Sequence, residues 1–303
     1  MKSVISFFII GLLINLFFNS CDSDEDTISI NSGFSIEFSD GTIIYEKDIF
    51  FYDSSTCILF LKDDIYFSYR ENESGHILTN EFTVFVDDDT IYQGIMYPYD
   101  YAMAAGPSMP FYIYRDINNF DNSILQIQFL GYSNDFRNDP RIIMALEKSN
   151  LLNHGISFTI DSVNVIPNDN FSYKVSCVIT IKNHDLINYY VLDPKKMGES
   201  YFSYYNGGLI FYNKETDYSY YLEGIYHSEW GSITIDDFSI LKGGSEITYA
   251  FSSTDYRQIY SGLYKCSFSL KYKGSNFNLD RGDSRIWIGE VYSSVDNIVV
   301  ELK

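Results

Sequence analysis

Histidine and cysteine offer the most chemistry of any side chains, and the chain has four of each. His76, His154, His184 and His227 lie far apart, and none has the HExxH or HxH spacing that would bring two imidazoles onto one metal. No CxxC pair, GxSxG turn or P-loop glycine run is present, so no nucleophile, redox or phosphate motif is written locally. Asp87-Asp88-Asp89 offers carboxylate oxygens, but calcium takes about six to eight, and three neighbouring acids at a turn are ordinarily solvated. Arg281-Gly282-Asp283 is the tripeptide read by animal integrins, and a match of three residues arises easily by chance. No catalytic residue, metal ligand or cofactor is therefore assigned. A His–Asp–Ser site assembled only in three dimensions stays open.

Binding chemistry is better represented than catalysis. Residues 201–230 hold eleven aromatics, about twice the chain's average density. Tyr218, Tyr220, Tyr221 and Trp230 are the candidate ligand contacts there. Aromatic rings present flat faces to the C–H side of sugars and, in Tyr and Trp, a polar edge to hydroxyls. Alternating sandwich strands with Tyr on both faces would look the same. Residues 97–107 (YPYDYAMAAGP) interrupt the strand pattern and read as a loop of the kind that carries binding or merely connects.

The amino terminus gives an address. Lys2 precedes an apolar run from Val4 to Phe18, then Asn19, Ser20 and Cys21, then four acids among residues 22–26. The run is shorter than the ~20 residues a bilayer needs, and its order is that of a cleaved export signal. Ser20-Cys21 resembles the lipobox of bacterial lipoproteins, which implies that the Cys21 thiol is acylated and residues 1–20 are removed. The acidic residues resemble the signal that some Gram-negative lineages use to export lipoproteins to the cell surface, so residues 21–27 read as a solvated tether. The expected location is the outer membrane, surface-exposed, with a periplasm-facing orientation as the alternative.

Composition narrows the body. A net charge of −20 repels nucleic acid and anionic lipid surfaces. With 28 Tyr, 24 Phe and only 6 Pro, and with Ile and Val alternating with polar residues, strands are the expected element. The expected organisation is mainly β in two domains, 28–153 and 154–303, with one short helix near the junction. Within the first, Phe82, Val84 and Val86 share a face opposite Phe85 in a hairpin turning at Asp87-Asp88-Asp89, and Ile124 to Gly131 is another strand. The helix begins at Asp139 as cap and Pro140 as first residue, with Ile142, Ile143 and Leu146 on one face.

In the second domain, Tyr173, Val175, Cys177, Ile179 and Ile181 alternate with polar residues, and so do Tyr264, Cys266, Phe268, Leu270 and Tyr272. Both runs suit antiparallel sandwich strands. The stretch Ser261-Gly262-Leu263-Tyr264-Lys265-Cys266 resembles the start of strand F in immunoglobulin domains, where a Tyr two residues before a cysteine bonds back to the backbone. That resemblance implies an immunoglobulin-like sandwich and a Cys177–Cys266 bridge; two reduced core cysteines are the alternative. The functional expectation is a non-catalytic binding or adhesion lipoprotein with a protein or glycan ligand, the alternative being a glycan-capture accessory protein using residues 201–230.

Overall fold

The computed structural model describes residues 33–64, 80–98, 109–115, 123–130, 134–167, 172–220, 232–257, 259–272, 280–281 and 284–300. Cys21, Tyr221 and Trp230 lie outside them. The described chain is mainly β with a few short helices.

In the first half, β1 (Phe34–Phe38), β2 (Ile43–Tyr45), β3 (Ile49–Asp53), β4 (Ile58–Leu61), β5 (Asn80–Val86), β6 (Asp89–Pro98), β7 (Phe111–Arg115), β8 (Ile124–Phe129) and β9 (Leu152–Asn153) make one sheet. Its order is β2-β1-β5-β6-β7-β8-β4-β3-β9. All pairings are antiparallel except β6 with β7 and β3 with β9. In β5, Phe82, Val84 and Val86 are buried and Phe85 is turned away, as the alternation requires. The β5–β6 turn is Asp87-Asp88, with Asp87 at φ 53°, a left-handed position that Asp tolerates. One face of the sheet closes on a core that includes Ile36, Leu59, Val84, Ile113 and Leu125.

Helix α1 (Pro140–Lys148) seals that core with Ile142 and Leu146. It starts as the sequence suggests: the Asp139 carboxylate accepts the Arg141 backbone N–H at 2.9 Å, and Pro140 takes the first position, where no N–H is needed.

The second half begins with β10 (Ile156–Pro167), β11 (Ser172–Asn183) and β12 (Asn188–Leu192). Helices α2 (Pro194–Met197) and α3 (Glu199–Tyr205) follow. The remaining strands are β13 (Ile210–Asn213), β14 (Ser219–Tyr220), β15 (Phe238–Leu241), β16 (Glu246–Arg257), β17 (Gly262–Tyr272), β18 (Asp280–Arg281), β19 (Ser284–Ile286) and β20 (Gly289–Val300). They form three sheets, β10-β11-β16, β14-β13-β17-β20 and β15-β12-β19-β18. Val175, Cys177, Ile179 and Phe251 of the first share one core with Phe211, Tyr264, Cys266 and Phe268 of the second. Two apolar faces meeting in one core make a β-sandwich. The Tyr264 hydroxyl donates to the Tyr260 carbonyl at 2.9 Å, the bond its place before Cys266 suggests.

Helices α2 and α3 depart from the single-helix expectation. Asp193 and Pro194 begin α2 with the device used at Asp139 and Pro140, the Asp193 carboxylate accepting the Lys195 N–H at 2.8 Å. In α3, Phe202 is buried between the sheets, its ring 5.3 Å from Phe251 and 6.2 Å from Phe268. Part of the aromatic-rich segment is therefore helical and packs inward.

The chain leaves the nine-stranded sheet at β9 and enters the sandwich at β10, yet the two halves share apolar surface. Every side chain of β4 is buried: Leu59 and Leu61 point into the first core, Ile58 and Phe60 into the second. Phe51 and Phe60 stack at 4.1 Å, and the Arg285 guanidinium lies 4.3 Å from the Phe51 ring centre. Strands buried on both faces read as continuous apolar runs, as β4 does.

Candidate binding cleft

Strand β8 shows how the surface changes where the halves part. Leu125 and Ile127 point into the first core; Ile124, Gln126 and Gln128 point the other way. Ile124 packs on the second core beside Phe60, its partner across the β4–β8 pair. Two and four residues further along the same face, Gln126 and Gln128 are only half-buried, and Tyr112 of β7 lies directly opposite Gln128. The outer face of the sheet thus turns from apolar to amide and phenol.

Here a cleft of about 1230 Å³ opens between the halves. The first half contributes the Gln126, Gln128, Tyr112 and Phe129 wall and a floor of Ser55, Thr56 and Cys57. The second half contributes Ser157 and Phe158 of β10, Ile288 with the first four residues of β20 (Gly289 to Tyr292), and His154 and His184. Tyr292 is 72% exposed, and its phenol lies beside the Glu290 carboxylate.

Arg137, which lines the cleft, is already paired. Arg137 Nε and Nη2 donate to the two oxygens of Asp135 at 2.9 and 2.7 Å, and Nη1 donates to the Ile127 carbonyl at 3.1 Å. Partial burial pushes the Asp135 carboxyl up, but the hydrogen bonds from Arg137 outweigh it and hold the group below the usual carboxylate range. Burial pushes the Cys57 thiol up even with Arg137 nearby, so it is a poor thiolate nucleophile. Among the described residues the buried Thr56 hydroxyl has no hydrogen-bond partner. Gly289 packs onto Thr56 so closely, at φ +135°, that an added Cβ would sit 2.3 Å from Thr56 Cγ2. Only glycine fits there.

Two carboxylates brace the joint at the cleft's base. Asp53, 2% exposed, accepts the Ser55 N–H at 2.9 Å and the Ser55 hydroxyl at 2.6 Å. Ser55 Oγ in turn accepts the Ile156 N–H at 3.3 Å across the junction. Asp185 accepts the His154 and Gly155 N–H groups at 2.7 and 2.8 Å and the Tyr189 hydroxyl at 2.7 Å. Burial first, with the Asp185 charge adding to it, pushes the Asp53 carboxyl up to about 6, although the Ser55 hydrogen bonds pull the other way.

One pair resembles the beginning of a catalytic set. Ser157 Oγ and His184 Nε2 are 2.7 Å apart on the wet side of the β10–β11 pair. A serine nucleophile needs its histidine oriented by a third group. Among the described residues no carboxylate bonds the His184 ring, and Asp185 is committed to the joint. Ser157 and His184 both line the cleft as polar groups.

The other candidate residues fall elsewhere. Tyr218, 62% exposed, meets Tyr220 edge-on at 5.1 Å, and Tyr220 meets Tyr260 at 6.0 Å and Tyr264 at 5.9 Å. This ladder joins the Tyr264 end of β17, whereas the cleft lies by Tyr272, which pairs with Gly289. Eight residues of strand separate them, about 27 Å.

Cys177 and Cys266 are buried in the sandwich core as free thiols, near enough that Cys177 adds to the upward shift that burial gives Cys266. Burial pushes Cys177 up to about 12. They pack as small apolar side chains. At the β5–β6 turn, Asp87 accepts the Gly33 N–H at 2.7 Å and Asp89 lies 3.6 Å from Arg141. No cluster of metal-ligating side chains occurs among the described residues. Arg281 lies in β18; Gly282, Asp283, His76 and His227 lie outside the described residues, as do residues 99–107.

Sequence reasoning passed over Gln126 and Gln128. Their signal was legible: two amides two residues apart in Ile124–Phe129, a strand otherwise apolar, mark a face that is not all core. Comparison with protein-family models, curated proteins and solved structures finds no match to this chain.

Proposed function

We propose that this is a non-catalytic binding lipoprotein of a bacterial envelope, tethered through acylated Cys21 and taking its ligand in the cleft between its two halves. The observation that carries the binding part is the change along β8 from apolar packing at Ile124 to Gln126 and Gln128 facing open space across from Tyr292. A face that merely sealed two halves together would stay apolar to its rim. The order Lys2, apolar run, Ser20, Cys21 and acidic tether supports the address, with surface exposure favoured over a periplasm-facing orientation. The sandwich strands and the Tyr264 bond support an immunoglobulin-like second half.

The test has two arms. Whole cells producing wild type should retain the protein in the membrane fraction with a lipid-sized mass increase at Cys21, and Cys21→Ala should release it. In parallel, the full chain is screened by thermal shift against panels of glycans, peptides and small metabolites. A ligand whose effect disappears in a Gln126→Ala/Gln128→Ala variant supports the reading. An unmodified Cys21, or ligand effects indifferent to the cleft, would overturn it.

A further inference from the structure

Four side chains in the cleft say what kind of ligand it suits. Gln126 and Gln128 share one face of β8, and Tyr112 is the cross-strand partner of Gln128, so two carboxamides and a phenol ring form one patch. Tyr292 stands on the opposite wall, 72% exposed. Each carboxamide presents a donor and an acceptor side by side, matching the paired hydroxyls of a sugar, and a tyrosine ring offers its face to the C–H side.

Charge points the same way. Arg137 is saturated by Asp135 and the Ile127 carbonyl, so its guanidinium is not free to hold an anion, and Glu290 beside Tyr292 is an acid, which disfavours an anionic ligand. The whole chain, at −20, repels anions at a distance. Size argues for a chain rather than a single small metabolite: about 1230 Å³ exceeds the roughly 300–1,000 Å³ of ordinary small-molecule sites.

We infer that the cleft binds a neutral oligosaccharide, its ring faces against Tyr112 and Tyr292 and its hydroxyls on the carboxamides of Gln126 and Gln128. This rests on the binding reading above and gives it a ligand class.

The experiment is an array of neutral oligosaccharides (glucans, mannans, xylans, galactans), acidic glycans and peptides, probed with the full chain in detergent, with calorimetry on any hit. Binding to a neutral oligosaccharide is expected. Gln126→Ala/Gln128→Ala should weaken it about tenfold or more, since two hydrogen-bonding groups are lost. Tyr292→Ala, an exposed position where folding is not at stake, should weaken it as well, and Tyr218→Ala should leave it unchanged. Binding of acidic glycans alone, or of peptides alone, overturns the carbohydrate assignment while leaving the cleft as a ligand site. Neutral-glycan binding that survives both cleft variants and fails in Tyr218→Ala overturns the placement. No binding anywhere on the array overturns the inference outright.

Discussion

Replacing Asp53 by Asn should change how the protein's stability responds to pH. The buried Asp53 carboxyl is pushed up to about 6 from an ordinary 3.8. An acid with a raised folded-state pKa favours folding least when ionised. Its penalty is absent below the unfolded value and grows as pH rises through the folded one. The difference of 2.2 units corresponds to about 3 kcal/mol at pH 8, about 1.6 kcal/mol at pH 5 and about 0.6 kcal/mol at pH 4. Asparagine keeps the oxygen that accepts from Ser55 but carries no charge. Urea unfolding of wild type and Asp53→Asn at each pH subtracts everything the two proteins share. The variant should gain on wild type by about 1.4 kcal/mol between pH 5 and pH 8, whatever its fixed offset. A difference between the two proteins that stays flat from pH 5 to pH 8 would refute the burial of a charge at this joint. Adding Asp185→Asn to wild type should lower the Asp53 midpoint, because the Asp185 charge contributes to the shift.

Other substitutions probe the packing that positions the cleft. Gly289→Ala forces a Cβ against Thr56 from a left-handed backbone and should cost about 1–3 kcal/mol in urea unfolding; an unchanged midpoint would show that Thr56 does not abut Gly289. Asp193→Ala removes both the α2 cap and the acceptor of the Ser239 hydroxyl at 2.6 Å, and should cost about 1–3 kcal/mol. In Cys21→Ala protein, Cys57, Cys177 and Cys266 should resist maleimide in buffer and all label in denaturant. Labelling of Cys57 alone in denaturant would mean that Cys177 and Cys266 are bridged, contrary to the free thiols described here.

What the sequence made legible was whatever is buried on one side only. Strands β5, β11 and β17 carry period-two alternation because each has one wet face, and helix α1 announces itself through Asp139, Pro140 and the Ile142/Leu146 stripe. Helix α3 was hidden because Tyr201 to Tyr205 is aromatic enough to read as strand, although Asp193-Pro194 before it is the signal that located α1. The cleft was hidden for a different reason. Its walls come from segments far apart in the chain, such as Gln126 against Tyr292, 166 residues away, and β4 lost its alternation by serving two cores at once. Ser157 and His184 are neighbours only through the register of β10 on β11. Pairing register is not encoded in residue spacing.

Ligand between the halves and ligand on the tyrosine ladder would cover different side chains. Hydroxyl-radical footprinting of the full chain, with and without a saturating neutral oligosaccharide, measures this side chain by side chain. Tyr292 and Phe129 should be oxidised several-fold more slowly in the presence of sugar, with Tyr218 and Tyr260 unaffected. Protection at Tyr218 and Tyr260 with Tyr292 unchanged would put the ligand on the ladder and not in the cleft.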